Sequence, residues 1–195
     1  MMEPALALLE FDSIAIGIEA GDAMAKRAPI ETIKAGTVQP GKYLVLIAGD
    51  VASVEESLEA GREVGAEALV DEVYLPQVHP DVVRAITGGR ELPPVQALGI
   101  IETTTVAATI HAADAGRKGA EVSLMEIRLA DGLGGKGFCL FAGEVADVEA
   151  AVSIGVSVLE REDLLVSSVV IPALHDEMEA NILAHTRFGA RVWEE

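Results

Sequence analysis

The sequence predicts a layered α/β fold of the α+β kind. It consists of two tandem copies of one unit, each with helices covering a four-stranded, mainly antiparallel sheet. Three observations predict it. First, the chain repeats itself: Ala5-Leu6-Ala7-Leu8-Leu9-Glu10 returns as Ala97-Leu98-Gly99-Ile100-Ile101-Glu102, and Ala20, Asp22, Ala23 and Lys26 return as Ala112, Asp114, Ala115 and Lys118. Second, each copy alternates short apolar runs with segments of helical spacing in the order β-α-β-β-α-β, a ferredoxin-like order, followed by one short helix. Third, 195 residues, 50% of them hydrophobic, suffice for two small cores in close contact.

The elements of the first copy follow in order. Met1 to Glu10 is apolar and reads as a first strand. Ser13 to Arg27 is a helix, capped by Asp12 or Ser13, with Ile14, Ile18, Gly21 and Ala25 at helical spacing; Thr104 or Thr105 caps its counterpart. Its small residues, Ala15, Gly17, Ala20, Gly21 and Ala23, allow close packing, and the second copy repeats the feature with Ala107, Ala108, Ala112, Ala113 and Ala115. A strand near Ile30 to Ala35, a Gly and Pro turn and an apolar strand from Tyr43 to Ala48 come next. Val51 to Glu67 is a half-buried helix, with Val51, Val54, Leu58 and Val64 on one stripe and an acidic face elsewhere. A strand from Leu69 to Leu75 stops at Pro76, and Pro80 to Ile86 forms a short helix. The chain thus divides into a first unit at 1–88, a linker at 89–94, a second unit at 95–184 and a tail at 185–195 holding the only tryptophan, Trp193.

Composition narrows the function. A net charge of −18 disfavours nucleic-acid partners, since phosphate backbones need clustered Lys and Arg, and it disfavours anionic membranes too. The apolar start lacks a preceding basic segment, and no uncharged run reaches the length of a membrane span, so a cytoplasmic location is expected. The single cysteine, Cys139, cannot form an intrachain disulfide and lies within an apolar strand, where cysteine usually behaves as a small buried hydrophobe. Four histidines without metal-type spacing do not suggest a metal site. Gly134-Gly135-Lys136 lacks the hydroxyl residue and following helix of a phosphate loop. Nothing points to catalytic residues or a cofactor.

Glu10, the small-residue helix ending Asp22-Ala23-Met24-Ala25-Lys26, Gly49-Asp50-Val51 and the Pro-x-x-His at Pro76–His79 and Pro172–His175 resemble the bacterial microcompartment (BMC) shell domain. Its doubling in unpermuted order is similar to that family's tandem-domain trimers, notably the iron–sulfur type of the propanediol-utilisation microcompartment. The resemblance implies a shell protein and not an enzyme: a homotrimer forming a pseudohexameric tile that packs laterally against other hexameric and trimeric tiles, with an axial pore for small metabolites. It assigns Lys26, Lys118, His79 and His175 to the tile edge. It assigns Thr37, Val38, Gln39 and Pro40, and Gly132, Leu133, Gly134 and Gly135, to the pore lining. The first pore loop is bulkier and more rigid, the second glycine-rich and potentially mobile.

Two departures matter. Val38 stands where the iron–sulfur type presents its cysteine, so a cluster, which needs thiolate ligands, is not expected. Gln77 and Ala173 stand where family edges often carry arginine, which touches the strength or choice of lateral packing. Two other classes remain open from the residues alone: a redox module with a metal or iron–sulfur centre on the trimer axis, and a ferredoxin-like small-molecule sensor.

Overall fold

The structure, a computed structural model, describes residues 4–188, so Trp193 lies outside the described residues. In the first unit, β1 (Ala5–Phe11) leads into α1 (Ile14–Arg27), β2 (Thr32–Val38), β3 (Lys42–Gly49), α2 (Val51–Gly65), β4 (Leu69–Leu75) and α3 (Pro80–Ile86). The second repeats this as β5 (Ala97–Thr103), α4 (Val106–Gly119), β6 (Ser123–Leu129), β7 (Gly137–Gly143), α5 (Val145–Ser157), β8 (Leu165–Ile171) and α6 (Asp176–Ala184), with a 3-10 turn at Glu162–Leu164 before β8. The sheets are ordered β2-β3-β1-β4 and β6-β7-β5-β8. Every pairing is antiparallel, and the first strands pair in equivalent registers, with Ala5 opposite Gly49 and Ala97 opposite Gly143, whereas of β2 and β6 only β6 carries an irregularity, between Leu124 and Glu126 against β7.

Ser13 caps α1 through Ile16 N, and Thr105 caps α4 through Ala108 N, so one of each pair of candidate caps is used. The strand expected near Ile30 to Ala35 starts at Thr32 and runs on to Val38, because its pairing with β3 continues down to Val38 opposite Lys42. The second helix ends at Gly65 and not at Glu67, and Val51 and Val64 lie outside its buried stripe of Val54, Ser57, Leu58, Gly61 and Gly65.

Helix α1 packs through part of its small-residue set. Gly17, Ala20 and Gly21 are buried with Met24, whereas Ile14, Ile18 and Ala25, which share the helical spacing, are exposed. The reason is space. A Cβ on Gly17 would sit 2.7 Å from Tyr43 Cβ, and one on Gly61 of α2 would sit 2.4 Å from Leu9 Cδ1 and 2.7 Å from Met24 Sδ. The helices lie so close to the sheet that glycine is required at these two contacts, while Met24, Val54 and Leu58 fill the space beside them.

Strand alternation gives each sheet two faces. On β1, Ala5, Ala7, Leu9 and Phe11 join Ala20, Met24, Val45, Val54 and Leu58 in the core beneath α1 and α2. Leu6 and Leu8, with Val73 and Leu75, belong instead to a core shared with the second unit's Val106, Ala107, Ile110 and Phe141. The packing of α4 on β1 and β4 makes this connection. Helix α3 closes the first unit in sequence but packs on β6 of the second, so the short segment after it is held and not a loose tether. There Glu91 N donates to Met125 O at 3.0 Å, and Arg90 pairs with the buried Glu126 at 3.0 Å while donating to carbonyls at the end of α6.

Candidate functional site

The two expected pore segments meet. The first is a tight turn after β2, in which Gly41 N donates to Val38 O at 2.9 Å; Thr37, Gln39 and Pro40 are exposed, while Val38 is half-buried against the shared core. The second spans residues 130–136 and is closed at its base by Ala130 N donating to Lys136 O at 2.9 Å. Leu133 N donates to Ala130 O and Lys136 N to Leu133 O, so the glycine-rich loop carries its own turns. Gly132 and Gly134 are exposed and Leu133 is half-buried. Gly135 is the point of contact: it has φ 88°, and a Cβ there would lie 2.8 Å from Pro40 Cδ and 2.9 Å from Gln39 O. Only glycine satisfies both the left-handed backbone and the close approach.

Each loop leads into a lysine that reaches back to the first strand of its own unit. Lys42 Nζ lies 2.6 Å from Glu10 Oε1, and Lys136 Nζ lies 2.5 Å from Glu102 Oε1. Glu10 is fully buried, and its other oxygen accepts from Val106 N at 2.8 Å. Burial raises the Glu10 carboxyl above its ordinary range, against the opposing pull of the Lys42 ammonium and the α4 amides. Glu102, by contrast, is partly exposed, and its charge is met by Lys136 alone among the described contacts.

The seam between units continues away from the loops. Thr105 Oγ1 hydrogen-bonds Asp71. His79 N donates to Asp114 Oδ1 at 2.8 Å, and Lys118 Nζ lies 2.6 Å from Asp114 Oδ2 while also donating to Gln77 O. Arg117 Nε lies 2.7 Å from Asp81 Oδ2, Arg84 holds the other Asp81 oxygen at 2.7 Å, and Arg84 also donates to Leu124 O. Burial would raise the Asp81 carboxyl, but Arg117 and Arg84 outweigh it and hold it below its ordinary value.

The four edge candidates therefore fall into two sets. His79 and Lys118 come together through the buried Asp114. Lys26 and His175 do not meet; among the described contacts Lys26 pairs with Asp22, 2.5 Å away, and Lys26 and His175 are both exposed. His79 and His175 also share a local task, each Nδ1 accepting from the amide two residues on (Asp81 N at 3.1 Å, Glu177 N at 3.2 Å) to cap α3 and α6. Sequence reasoning missed Asp114, Asp81 and Arg117 as seam residues. For Asp114 a signal existed, its repetition with Asp22; for Arg117 none did, because Ala25 occupies the equivalent place.

Cys139 is fully buried in β7, and burial pushes its thiol up to about 12, the behaviour of a packed core group. Among the described residues no three His, Cys, Asp or Glu side chains converge as a metal ion requires, and no helix is long and apolar enough to cross a membrane.

Known proteins share this arrangement. The BMC domain model matches twice, at residues 5–78 and 97–174. The bacterial microcompartment shell protein PduT of Citrobacter freundii is 41% identical over 177 residues, which is 91% of this chain and 96% of that protein. The bacterial microcompartment shell protein EutM of Escherichia coli K12 aligns with about one unit, 38% identical over 87 residues, or 44% of this chain and 86% of its own. A crystal structure of a microcompartment protein from Desulfitobacterium hafniense DCB superposes with a TM-score of 0.79 at 46% identity, covering 91% of this chain and 99% of that one. With both units matched and their sheets, caps and close-packed helices in equivalent places, the chain belongs to the BMC domain family and carries two of its domains in tandem.

Proposed function

We propose that this chain is a structural shell protein of a bacterial microcompartment, three copies of which close into a pseudohexameric tile with a central pore. The observation that carries the reading is the meeting of the two loops at Gly135, Gln39 and Pro40. A ring with the loop pair on its axis sets three bulky turns alternating with three glycine-rich loops around one opening. Small metabolites pass between these lips, and exposed Gln39 and the loop amides give them polar contacts. Val38, packed against the core, supports the lip from behind, while Leu133 supplies apolar surface nearer the opening. The tile lies in the cytoplasm and meets neighbouring hexameric and trimeric tiles along an edge carrying Lys26, Lys118, His79 and His175. The domains are 1–88 and 95–184, joined by 89–94.

PduT and EutM are named as shell proteins, which supports a structural role over an enzymatic one. The test is direct. Sedimentation of purified protein is expected to give three chains per particle, and electron microscopy of concentrated protein is expected to show flat sheets. A chain that stays monomeric and forms no sheets sinks the proposal.

A further inference from the structure

Beside the glycine-rich loop the chain gathers positive charge that the described residues leave without a partner. A cleft of about 270 Å³ lies between the end of α3, the segment after it, β6 and the residues that follow α6. It shares Arg128, Asp131 and Arg187 with an adjoining depression of about 570 Å³ along residues 131–133. The chain holds 14 Lys and Arg against 32 Asp and Glu, yet Arg90, Arg128 and Arg187 all line this cleft, and only Glu126 and Asp131 oppose them.

Glu126 is already engaged. One of its oxygens pairs with Arg90 Nε at 3.0 Å, and the other accepts from Thr186 Oγ1 at 2.7 Å, a bond that also anchors the segment carrying Arg187. Arg128 lies over the Phe138 ring, 5.7 Å from its centroid, and donates to the Asp131 carbonyl at a long 3.4 Å. Among the described residues neither Arg128 nor Arg187 has a carboxylate within ion-pair distance. Burial and the Arg187 guanidinium act together against the Arg128 charge and hold its pKa below the ordinary arginine value. The shared fold does not ask for this arginine. In the sheet register Arg128 lies opposite Phe138, and its equivalent in the first unit, opposite Leu44, is Gly36; Glu126 is likewise matched by Lys34.

We propose that the cleft is a binding site for a small organic oxyanion, a carboxylate or a phosphate monoester, gripped by Arg128 and Arg187 with its apolar part against Leu133 and Phe188. Guanidinium forks meet such oxyanions through paired, charge-assisted hydrogen bonds. An arriving anion also relieves the repulsion between two cations that face one cleft. Phe188 is 76% exposed and Leu133 half-buried, so both offer apolar surface to the ligand's carbon body beside the arginines. The site lies within one chain and does not depend on the trimer. In the tile proposed above, each glycine-rich loop carries one such site next to the opening, a local attraction for anions on a chain whose overall charge of −18 repels them.

Titration calorimetry of the full chain at low salt tests this with inorganic phosphate, phenyl phosphate and benzoate. One site per chain is expected for phenyl phosphate or benzoate, whichever oxyanion the arginines prefer, and inorganic phosphate, which has no apolar part, should bind roughly threefold or more weakly. Arg128→Gln and Arg187→Gln should each weaken binding roughly 10-fold or more, with urea midpoints close to wild type, and Arg128→Lys, which keeps the charge and loses the fork, should recover part of it. Arg161→Gln, at an exposed arginine outside the cleft, should change nothing. Equal losses in all three glutamine variants reduce the effect to unspecific charge and overturn the site, as does the absence of binding by every probe. Binding that appears only when Glu194→Gln and Glu195→Gln are combined assigns the arginines to those two carboxylates and overturns it too. The sedimentation and microscopy that decide the tile are unaffected by any of these results.

Discussion

Helices α1 and α4 occupy the same place in two copies of one unit, share the Ala, Asp, Ala, Lys pattern at equivalent positions, and differ almost completely in what surrounds them. Helix α4 is buried on nearly all sides, its Asp114 fixed by Lys118 and His79 N. Helix α1 is buried only along Gly17, Ala20, Gly21 and Met24, and its Asp22–Lys26 pair stands in solvent. The difference lies in the neighbour and not in the helix. A small-residue stripe binds each helix to its own sheet, and a second, larger-residue stripe faces outward from it, exposed on α1 and covered on α4. On α4 the cover is the chain's own first half.

Breaking the paired aspartates should give the largest contrast. Asp114→Ala leaves the half-buried His79 amide without its acceptor and Lys118 without its carboxylate, and is expected to cost about 2–3 kcal/mol in urea unfolding. Asp22→Ala removes an exposed pair and should cost the isolated chain only about 0.3–0.5 kcal/mol. Equal losses would mean that the seam contributes nothing through Asp114.

The glycines of the covering helices come next. A Cβ on Gly61 meets movable side-chain ends, Leu9 Cδ1 and Met24 Sδ, whereas one on the equivalent Gly155 meets Ala112 O at 2.8 Å as well as Ile101 Cδ1. Gly155→Ala should therefore destabilise by about 2–3 kcal/mol and Gly61→Ala by about 1 kcal/mol, measured by thermal and urea unfolding. A reversed order would show that α2, and not α5, is the more rigidly seated helix.

Acid should act on the seam with two opposite signs. Asp81 is held below 3.8 in the fold, so the stability it contributes is present above that value and lost as pH falls through its folded value. Glu10 is raised above 4.5, so the fold keeps its proton longer than the unfolded chain does, and stability declines as pH rises through that interval. Urea midpoints followed against pH should lose part of their acid limb in Asp81→Asn. In Glu10→Gln they should fall less steeply as pH rises above about 4.5.

The smallest effect sharpens the comparison by transplant. Ala25→Arg places on exposed α1 the guanidinium that on α4 binds Asp81, and it should change urea stability by less than about 0.5 kcal/mol, far less than removal of Arg117 from the seam.

Much of this molecule was legible in its sequence. The repeat, the element order, β4 and α3 to the residue, and the two glycine-bearing turns before Lys42 and Lys136 follow from local rules: period, cap and turn chemistry act over a few residues. Pairing Glu10 with Lys42, and with α4 of the other unit, was not legible, because partners 32 and 96 residues away are chosen by the fold and not by spacing. Which face of α1 is buried was not legible for a related reason. Helical period locates an apolar stripe but cannot say whether a sheet of the same unit or a different unit will cover it.

The sequence by itself thus determined that there are two like units, what elements they contain and which small residues bring helix to sheet. Only the tertiary structure decided that the outer faces of α1 and α4 have opposite fates, that the two loops touch at Gly135, and that Asp114 is buried while Asp22 is not. Local propensity is short-ranged and gives the same elements in both copies. Burial depends on which surface arrives from elsewhere in the chain, and within one chain it arrives on α4 alone.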